Sequence, residues 1–194
     1  MKRIFIIFCI CLLVGSLNAE DLPLNYQLPI AIEDERFIVY QTLGIPNEII
    51  SLNTPNIGDD WPKEKTIEYF YKNGLVVLFW NDIVYRIVVN NYGSYKGWED
   101  YTGMIINEVT LKDDRYKVIK KLGKPFIMKT DPIYKTDSDG FGFPRYSNSY
   151  YTWLTGEYRI EIEVANTDQV IDSKNNIIRP QDGINTIAIT ENKK

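Results

Sequence analysis

Histidine is absent from this 194-residue chain, and its two cysteines, Cys9 and Cys11, both lie in an apolar run near the N-terminus. Without that run, the chain has neither an imidazole nor a thiol. Their absence excludes imidazole bases, thiol nucleophiles, disulfide bonds and the usual zinc ligand sets. The fold must then be held by its hydrophobic core alone, which this length permits for one domain or two small ones.

The apolar run forms the centre of a predicted signal peptide. Lys2 and Arg3 precede the eleven residues of Ile4–Val14, and small and polar residues follow up to Ala19. This order is typical of a secretory signal, and the run is too short to cross a bilayer. We predict a signal peptide at 1–19, cleaved near Ala19, and export to the periplasm or the extracellular space.

The exported chain is expected to be acidic. Removal of Lys2 and Arg3 leaves 20 basic and 26 acidic residues, so the net charge changes from −4 to −6. Such a balance makes nucleic acid and anionic membranes poor partners. We expect the protein to bind neither.

A fifteen-residue segment occurs twice. Ile32–Pro46 aligns without gaps on Leu111–Pro125, and the two start 79 positions apart. Six positions are identical, where average composition gives about one by chance. The identical pairs are Asp34/Asp113, Arg36/Arg115, Val39/Val118, Leu43/Leu122, Gly44/Gly123 and Pro46/Pro125. We predict a tandem duplication.

Each copy of the segment is predicted to form a helix. The apolar residues fall at helical spacing, and the ending Leu-Gly-x-Pro is a helix stop signal, with a left-handed residue at Gly44 and Gly123. Thr110 is expected to cap the second helix, with Asp113 three residues later.

Antiparallel strands follow each predicted helix. We predict three strands over Thr66–Asn90, with turns at Asn73-Gly74 and Asn81-Asp82, because Asn-Gly strongly favours a hairpin. The second copy is expected to place strands at Tyr158–Val164 and Gly183–Thr190, with a turn at Thr155-Gly156 between the first of these and the strand before it.

The intervening segments are predicted to be loops. They are Asn47–Pro62, Phe126–Tyr146 and the polar stretch Asn166–Asn176, which is expected to include a small hairpin. The predicted organisation is a signal peptide at 1–19, a first repeat at 20–90, a linker rich in glycine and aromatic residues at 91–103, and a second repeat at 104–194.

Two helices that end in Leu-Gly-x-Pro, each followed by an antiparallel meander, resemble the β-lactamase inhibitory protein family and the small lipoprotein subunit of the outer-membrane barrel-assembly machinery. The resemblance implies an α+β fold of two tandem helix-plus-antiparallel-meander repeats. It also implies helices on one side of the sheet and a concave, protein-binding surface on the other. The chain lacks the disulfides of the inhibitory protein and the acylated cysteine of the lipoprotein, so neither partner is carried over to it.

Alternation along the predicted strands divides their residues between two faces. Ile67, Tyr69, Leu78 and Trp80 are assigned to the core. The opposite, outer face mixes aromatic and charged side chains, which is the composition of interface anchors. The predicted partner-binding residues are Phe70, Phe79, Arg86, Tyr150, Arg159, Glu161 and Trp98. For Phe70 and Phe79, burial between the two repeats is an equal alternative.

No enzymatic signal is convincing. Asp137, Asp139 and Gly142 match three positions of a calcium loop, but Asn148 replaces its glutamate. The alternating glutamates of 158–164 lie on one face, and nothing in the sequence raises their pKa as acid–base catalysis would require. We predict no catalytic residue, no metal and no cofactor.

These features favour an exported, non-enzymatic protein-binding module, such as an inhibitor or an immunity-type factor, that acts by occlusion through the outer face. The alternative is a carbohydrate or small-ligand binder. It would use the predicted loop at Phe126–Tyr146 and the linker, where Tyr92, Tyr95, Trp98 and Tyr101 recur every third residue.

Overall fold

The computed structural model describes residues 25–52, 65–91, 97–136, 142–166, 170–171, 177–179 and 182–192. The predicted signal peptide, the first two linker tyrosines and most of the calcium-loop candidate, at 137–141, lie outside these residues.

Among the described residues there are two helices of eight residues each, α1 (Arg36–Leu43) and α2 (Arg115–Leu122), and a short 3-10 turn covers Tyr71–Asn73. The strands are β1 (Glu48–Leu52), β2 (Lys65–Phe70), β3 (Leu75–Trp80), β4 (Ile83–Asn90), β5 (Ile127–Thr136), β6 (Gly142–Leu154), β7 (Tyr158–Asn166), β8 (Val170–Ile171), β9 (Ile177–Arg179) and β10 (Ile184–Glu191).

Eight strands form one antiparallel sheet in the order β1-β2-β3-β4-β10-β7-β6-β5, and β8 and β9 form a separate ribbon. The predicted α+β fold of two helix-plus-meander repeats is therefore wrong, because the fold is predominantly β. The difference arises because the predicted loops at 47–62 and 126–146 contribute β1, β5 and part of β6, while each helix is short. The strands predicted at Thr66–Asn90, Tyr158–Val164 and Gly183–Thr190 are confirmed by β2–β4, β7 and β10.

The C-terminal strand lies in the middle of the sheet. β10 pairs with β4 on one side, where Ile187 lies opposite Val89, and with β7 on the other, where Ile187 lies opposite Ile162. All three of these side chains are fully buried. The strand therefore joins the β1–β4 half of the sheet to the β5–β7 half.

Both helices pack on the same face of the sheet, which we call the inner face. Tyr40 of α1 makes an edge contact with Phe70 of β2, with ring centroids 6.4 Å apart. Under α2, the indole Nε1 of Trp153 donates to the carbonyl oxygen of Gly123 at 3.0 Å. The inner face therefore carries the hydrophobic core.

The predicted face assignment is wrong for β2 and β3, whereas Arg86 of β4 lies on the outer face as predicted. Phe70 and Phe79 are fully buried on the inner face, whereas Leu78 and Trp80, assigned to the core, lie partly exposed on the outer face. A β-bulge between β3 and β4 places Leu78 opposite Arg86 but Phe79 opposite Val84, which leaves one extra residue on β4. The alternative that the two phenylalanines are buried is confirmed, although they lie beneath α1.

The two copies of the repeated segment have closely matching local structure. The Asp34 carboxylate accepts from the backbone N–H of Ala31 at 2.6 Å, and the Asp113 carboxylate accepts from that of Thr110 at 2.9 Å. Each aspartate closes a turn before its helix. The predicted cap at Thr110 is therefore wrong, because α2 starts at Arg115 and the side chain of Asp114 caps it.

The first residue of each helix is bonded to the turn that precedes a strand, β4 for α1 and β10 for α2. The backbone N–H of Arg36 donates to the carbonyl of Asp82 at 2.7 Å, and that of Arg115 donates to the carbonyl of Asp182 at 3.2 Å. The same arginines form ion pairs with these aspartates, at 3.1 Å and 3.3 Å. The arginine shared by both copies thus fixes the helix start, which explains its place in the repeated segment.

Gly74, in the β2–β3 connection, lies against the linker. Its φ angle is 65°, and a Cβ atom at this position would lie 2.3 Å from the backbone nitrogen of Tyr101. Gly97 has a φ angle of 80° with nothing within 4 Å of such a Cβ, so it shares the backbone conformation but not the close approach.

We expect Gly74→Ala to lower the free energy of unfolding by about 2–3 kcal/mol, since it adds a collision to the strain of a left-handed residue. Gly97→Ala should cost only the strain, about 1–2 kcal/mol. Urea unfolding of the two variants measures the difference. Equal losses of unfolding free energy in the two variants would show that the linker backbone does not contact a Cβ atom at position 74.

Candidate functional site

The outer face of the sheet, opposite α1 and α2, is formed by alternate residues of the central strands. Because side chains alternate along a strand, neighbouring strands place them in rows across the sheet. One row runs Val76, Val88, Ala188, Glu161, Thr152 and Ile127. The next row toward one rim of the sheet runs Ile67, Leu78, Arg86, Thr190, Arg159 and Leu154.

The outer face has an apolar half and a charged half. On β2 and β3, Ile67, Tyr69, Leu78 and Trp80 are all partly exposed. The Lys65 ammonium lies 5.1 Å from the centre of the Trp80 ring, a cation–π contact. The solvated face of an antiparallel sheet is usually polar, and a contiguous group of partly exposed aromatic and aliphatic side chains on it is typical of an interaction surface.

Two arginines share one glutamate on the charged half. Arg86 Nη1 lies 3.0 Å from Glu161 Oε2, and Arg159 Nη2 lies 2.6 Å from Glu161 Oε1. Arg86 Nη1 also donates to the Thr190 hydroxyl at 3.1 Å. We call Arg86, Glu161 and Arg159 the arginine–glutamate triad, and its three ionised groups sum to one positive charge.

A depression lies next to the triad, and we call it the β6 pocket. Its volume is about 280 Å³, and it is lined by Ile127, Lys129, Tyr150, Thr152, Arg159 and Glu161. Thr152 forms the floor, because it is short, is only 7% exposed and stands between the longer Ile127 and Glu161 in its row. The pocket thus results from the order of side-chain sizes across three strands.

The predicted site residues divide into two groups. Arg86, Tyr150, Arg159 and Glu161 come together on the outer face, within the triad or beside it. Phe70 and Phe79 lie in the core, and Trp98 is only 5% exposed, with its indole Nε1 donating to the carbonyl of Asn90 at 3.3 Å. Only Arg86, Tyr150, Arg159 and Glu161 therefore remain candidates for an exposed partner-binding site.

Sequence reasoning missed three pocket residues. The sequence predicts a loop at Ile127 and Lys129, and Thr152 is not among the predicted partner-binding residues. No local signal identifies Ile127 and Lys129, because Ile127, Met128 and Lys129 are all exposed and do not alternate between apolar and polar residues.

A second cluster of charges lies under α1, on the inner face. Arg36 Nε lies 3.5 Å from Glu68 Oε1 and 3.1 Å from Asp82 Oδ1, and Arg36 Nη2 donates to the Thr66 hydroxyl at 2.9 Å. The Glu68 side chain is fully buried. It is also hydrogen-bonded to Tyr40.

Burial dominates the acid–base properties of this inner cluster. Loss of solvent raises the pKa of Glu68 above its usual range, although Tyr40 and Arg36 act in the opposite direction. Burial and the neighbouring Glu68 carboxylate together raise the pKa of Tyr40 to about 12. Glu68 is closed off from solvent while Asp82 is largely exposed, and the cluster joins α1 to the sheet, so we assign it to stability.

Within the described ranges, no group of three or more histidine, cysteine, aspartate or glutamate residues could hold a metal ion. Among those same residues, no helix is both long enough and apolar enough to cross a membrane.

Comparisons with known proteins gave no match: no family model fits the sequence, no curated protein matches it, and no solved structure matches it. The resemblance to the β-lactamase inhibitory protein family therefore stays a prediction, and the case for function depends on the outer face alone.

Proposed function

We propose that this chain is an exported, non-enzymatic protein-binding module that occludes its partner through the outer face of the sheet. The observation that supports this most directly is the composition of that face. Partly exposed aromatic residues lie beside two arginines, and tyrosine, tryptophan and arginine are the residues most enriched at the centres of protein interfaces.

The outer face is large enough for a stable interface. Eight strands at about 4.8 Å spacing give a width of about 34 Å, and six residues of strand give a height of about 20 Å. The area is therefore on the order of 700 Å², close to the roughly 800 Å² that each partner buries in a standard interface.

Export is proposed from the N-terminal sequence. Carbohydrate binding through the linker has less support, because Trp98 is buried and Tyr101 packs against the core. The predicted loop at 126–146, on which that alternative also depended, mostly forms strands.

Tyr150→Ala tests the proposal. Tyr150 is 37% exposed on the outer face beside the β6 pocket. The partner is first captured from periplasmic or culture extract and purified, and its affinity is then measured by calorimetry. We expect Tyr150→Ala to weaken binding by about 2 kcal/mol, roughly 30-fold, as for a central hot spot, with little change in the melting temperature.

The matched control is Phe37→Ala, which removes an exposed aromatic ring from α1, on the opposite side of the sheet. It should leave affinity unchanged. A partner that is lost with Phe37→Ala but retained with Tyr150→Ala binds the helical side and would contradict the proposal.

A further inference from the structure

We propose that the β6 pocket receives an acidic side chain of the protein partner, an aspartate or glutamate that is flanked by an apolar residue. This inference rests on the proposed function, since it names the partner chemistry that one part of the outer face recognises. It follows from the charge, the shape and the surroundings of the pocket.

The charge of the pocket favours an anion. One carboxylate, on Glu161, is shared by two guanidinium groups, and the Lys129 side chain lines the same pocket. The Arg159 side chain is 49% exposed, while Arg86 keeps a second contact to Thr190. An incoming carboxylate can therefore pair with Arg159 through two parallel hydrogen bonds, with the Glu161–Arg86 contact intact.

The shape of the pocket favours one small group with an apolar neighbour. A volume of about 280 Å³ is at the lower limit for a small-molecule site, so it admits a side chain rather than a large ligand. Ile127 and Tyr150 form exposed apolar walls, and Thr152 forms the floor. An apolar group can pack on these walls while the carboxylate reaches Arg159.

The charge of the whole chain makes this pocket selective. The full sequence has a net charge of −4, so the chain as a whole does not attract an acidic partner segment. A local excess of positive charge around the pocket therefore orients such a segment as it approaches. Complementarity of this kind contributes mainly to association rate and to specificity.

The experiment uses small probes that carry the proposed chemistry. The folded, isotope-labelled protein is titrated in NMR with N-acetyl-phenylalanine, which has one carboxylate and one ring, with its neutral amide, and with the phenethylammonium cation. We expect saturable shifts at Ile127, Tyr150 and Arg159 with the carboxylate only. The neutral amide should bind at least about tenfold more weakly, the effect of losing a charged bidentate pair.

Two variants give opposite expectations. Arg159→Met keeps the length of the side chain but removes its charge, and it should weaken carboxylate binding by about tenfold or more. Glu161→Gln removes the competing carboxylate and should strengthen binding about threefold to tenfold. Lys72→Met removes an exposed cation outside the pocket and should have no effect.

The results separate this inference from the proposed function. Preference for the ammonium probe, or loss of carboxylate binding in Glu161→Gln, would overturn the inference. Suppose that the carboxylate probe causes no shifts and Arg159→Met does not change partner affinity, while Tyr150→Ala still weakens partner binding. The pocket assignment then fails and the outer-face proposal stands. If partner binding does not depend on Tyr150, the outer-face proposal itself fails.

Discussion

Phe79→Ala should destabilise the protein by about 3–5 kcal/mol, the usual loss when a buried phenylalanine is truncated. The Phe79 side chain is fully buried, it belongs to the core on the inner face, and the Arg36 guanidinium lies 4.9 Å from its ring centre. The substitution leaves a cavity under α1 and also removes this cation–π contact. Denaturant unfolding measures the loss.

Leu78→Ala is the matched control for this prediction, because Leu78 is the preceding residue of β3 and is partly exposed on the outer face. Leu78→Ala should lower the free energy of unfolding by less than half as much as Phe79→Ala does. A larger loss for Leu78→Ala than for Phe79→Ala would contradict the register of β3.

Arg36→Met is expected to lower the free energy of unfolding by about 3 kcal/mol at neutral pH, because it leaves the buried Glu68 without its cation. Arg115→Met is the control from the second copy of the repeated segment. Arg115 pairs with Asp182, and both side chains of this pair are partly exposed. We expect a loss of about 1 kcal/mol or less for Arg115→Met.

The loss caused by Arg36→Met should depend on pH. Burial raises the pKa of Glu68 above its ordinary value of 4.5, and Arg36 lowers it. Without Arg36, the pKa rises further. Glu68 then binds its proton more tightly in the folded state than in the unfolded state. The folded state therefore loses stability as pH rises from 4.5 through the folded pKa. The loss should therefore be small below pH 4.5 and should grow above it.

Adding Glu68→Gln tests the cause of this loss. The double variant Arg36→Met/Glu68→Gln should recover a large part of the stability at neutral pH and should lose the pH dependence, since no buried charge remains. An unchanged loss in the double variant would show that Arg36 acts through its contacts with Phe79 and Thr66 rather than through Glu68.

The sequence predicted the positions of strands β2, β3 and β4 well, but it did not predict which face of β2 and β3 is buried. All six residues of β3, Leu75–Trp80, are apolar, so hydrophobic alternation could not choose between its two faces. On β2 the polar Thr66 and Glu68 lie on the inner face, and both are buried because Arg36 reaches them from α1. Charge pairing between distant segments therefore decided the orientation.

The edge strands were missed for a different reason. All five residues of β1 are exposed, so burial imposes no alternating pattern on its sequence. β5 follows the Leu-Gly-x-Pro stop signal after a short connection, and its pairing with β6 is a tertiary contact that local sequence does not specify. The β6 pocket depends on that pairing, so its Ile127 and Lys129 walls could not be found from sequence alone.

The central position of β10 has a consequence for synthesis on the ribosome. Residues 184–191 are made after every other strand of the sheet, yet they fill the gap between β4 and β7. Until they emerge, the nascent chain has two incomplete sheets, each with an unpaired apolar edge that can pair with other chains. The pairing of β4 with β10 joins residues about a hundred positions apart, as in Val89 with Ile187, so folding of the complete sheet is expected to be slow, in the range of milliseconds to seconds.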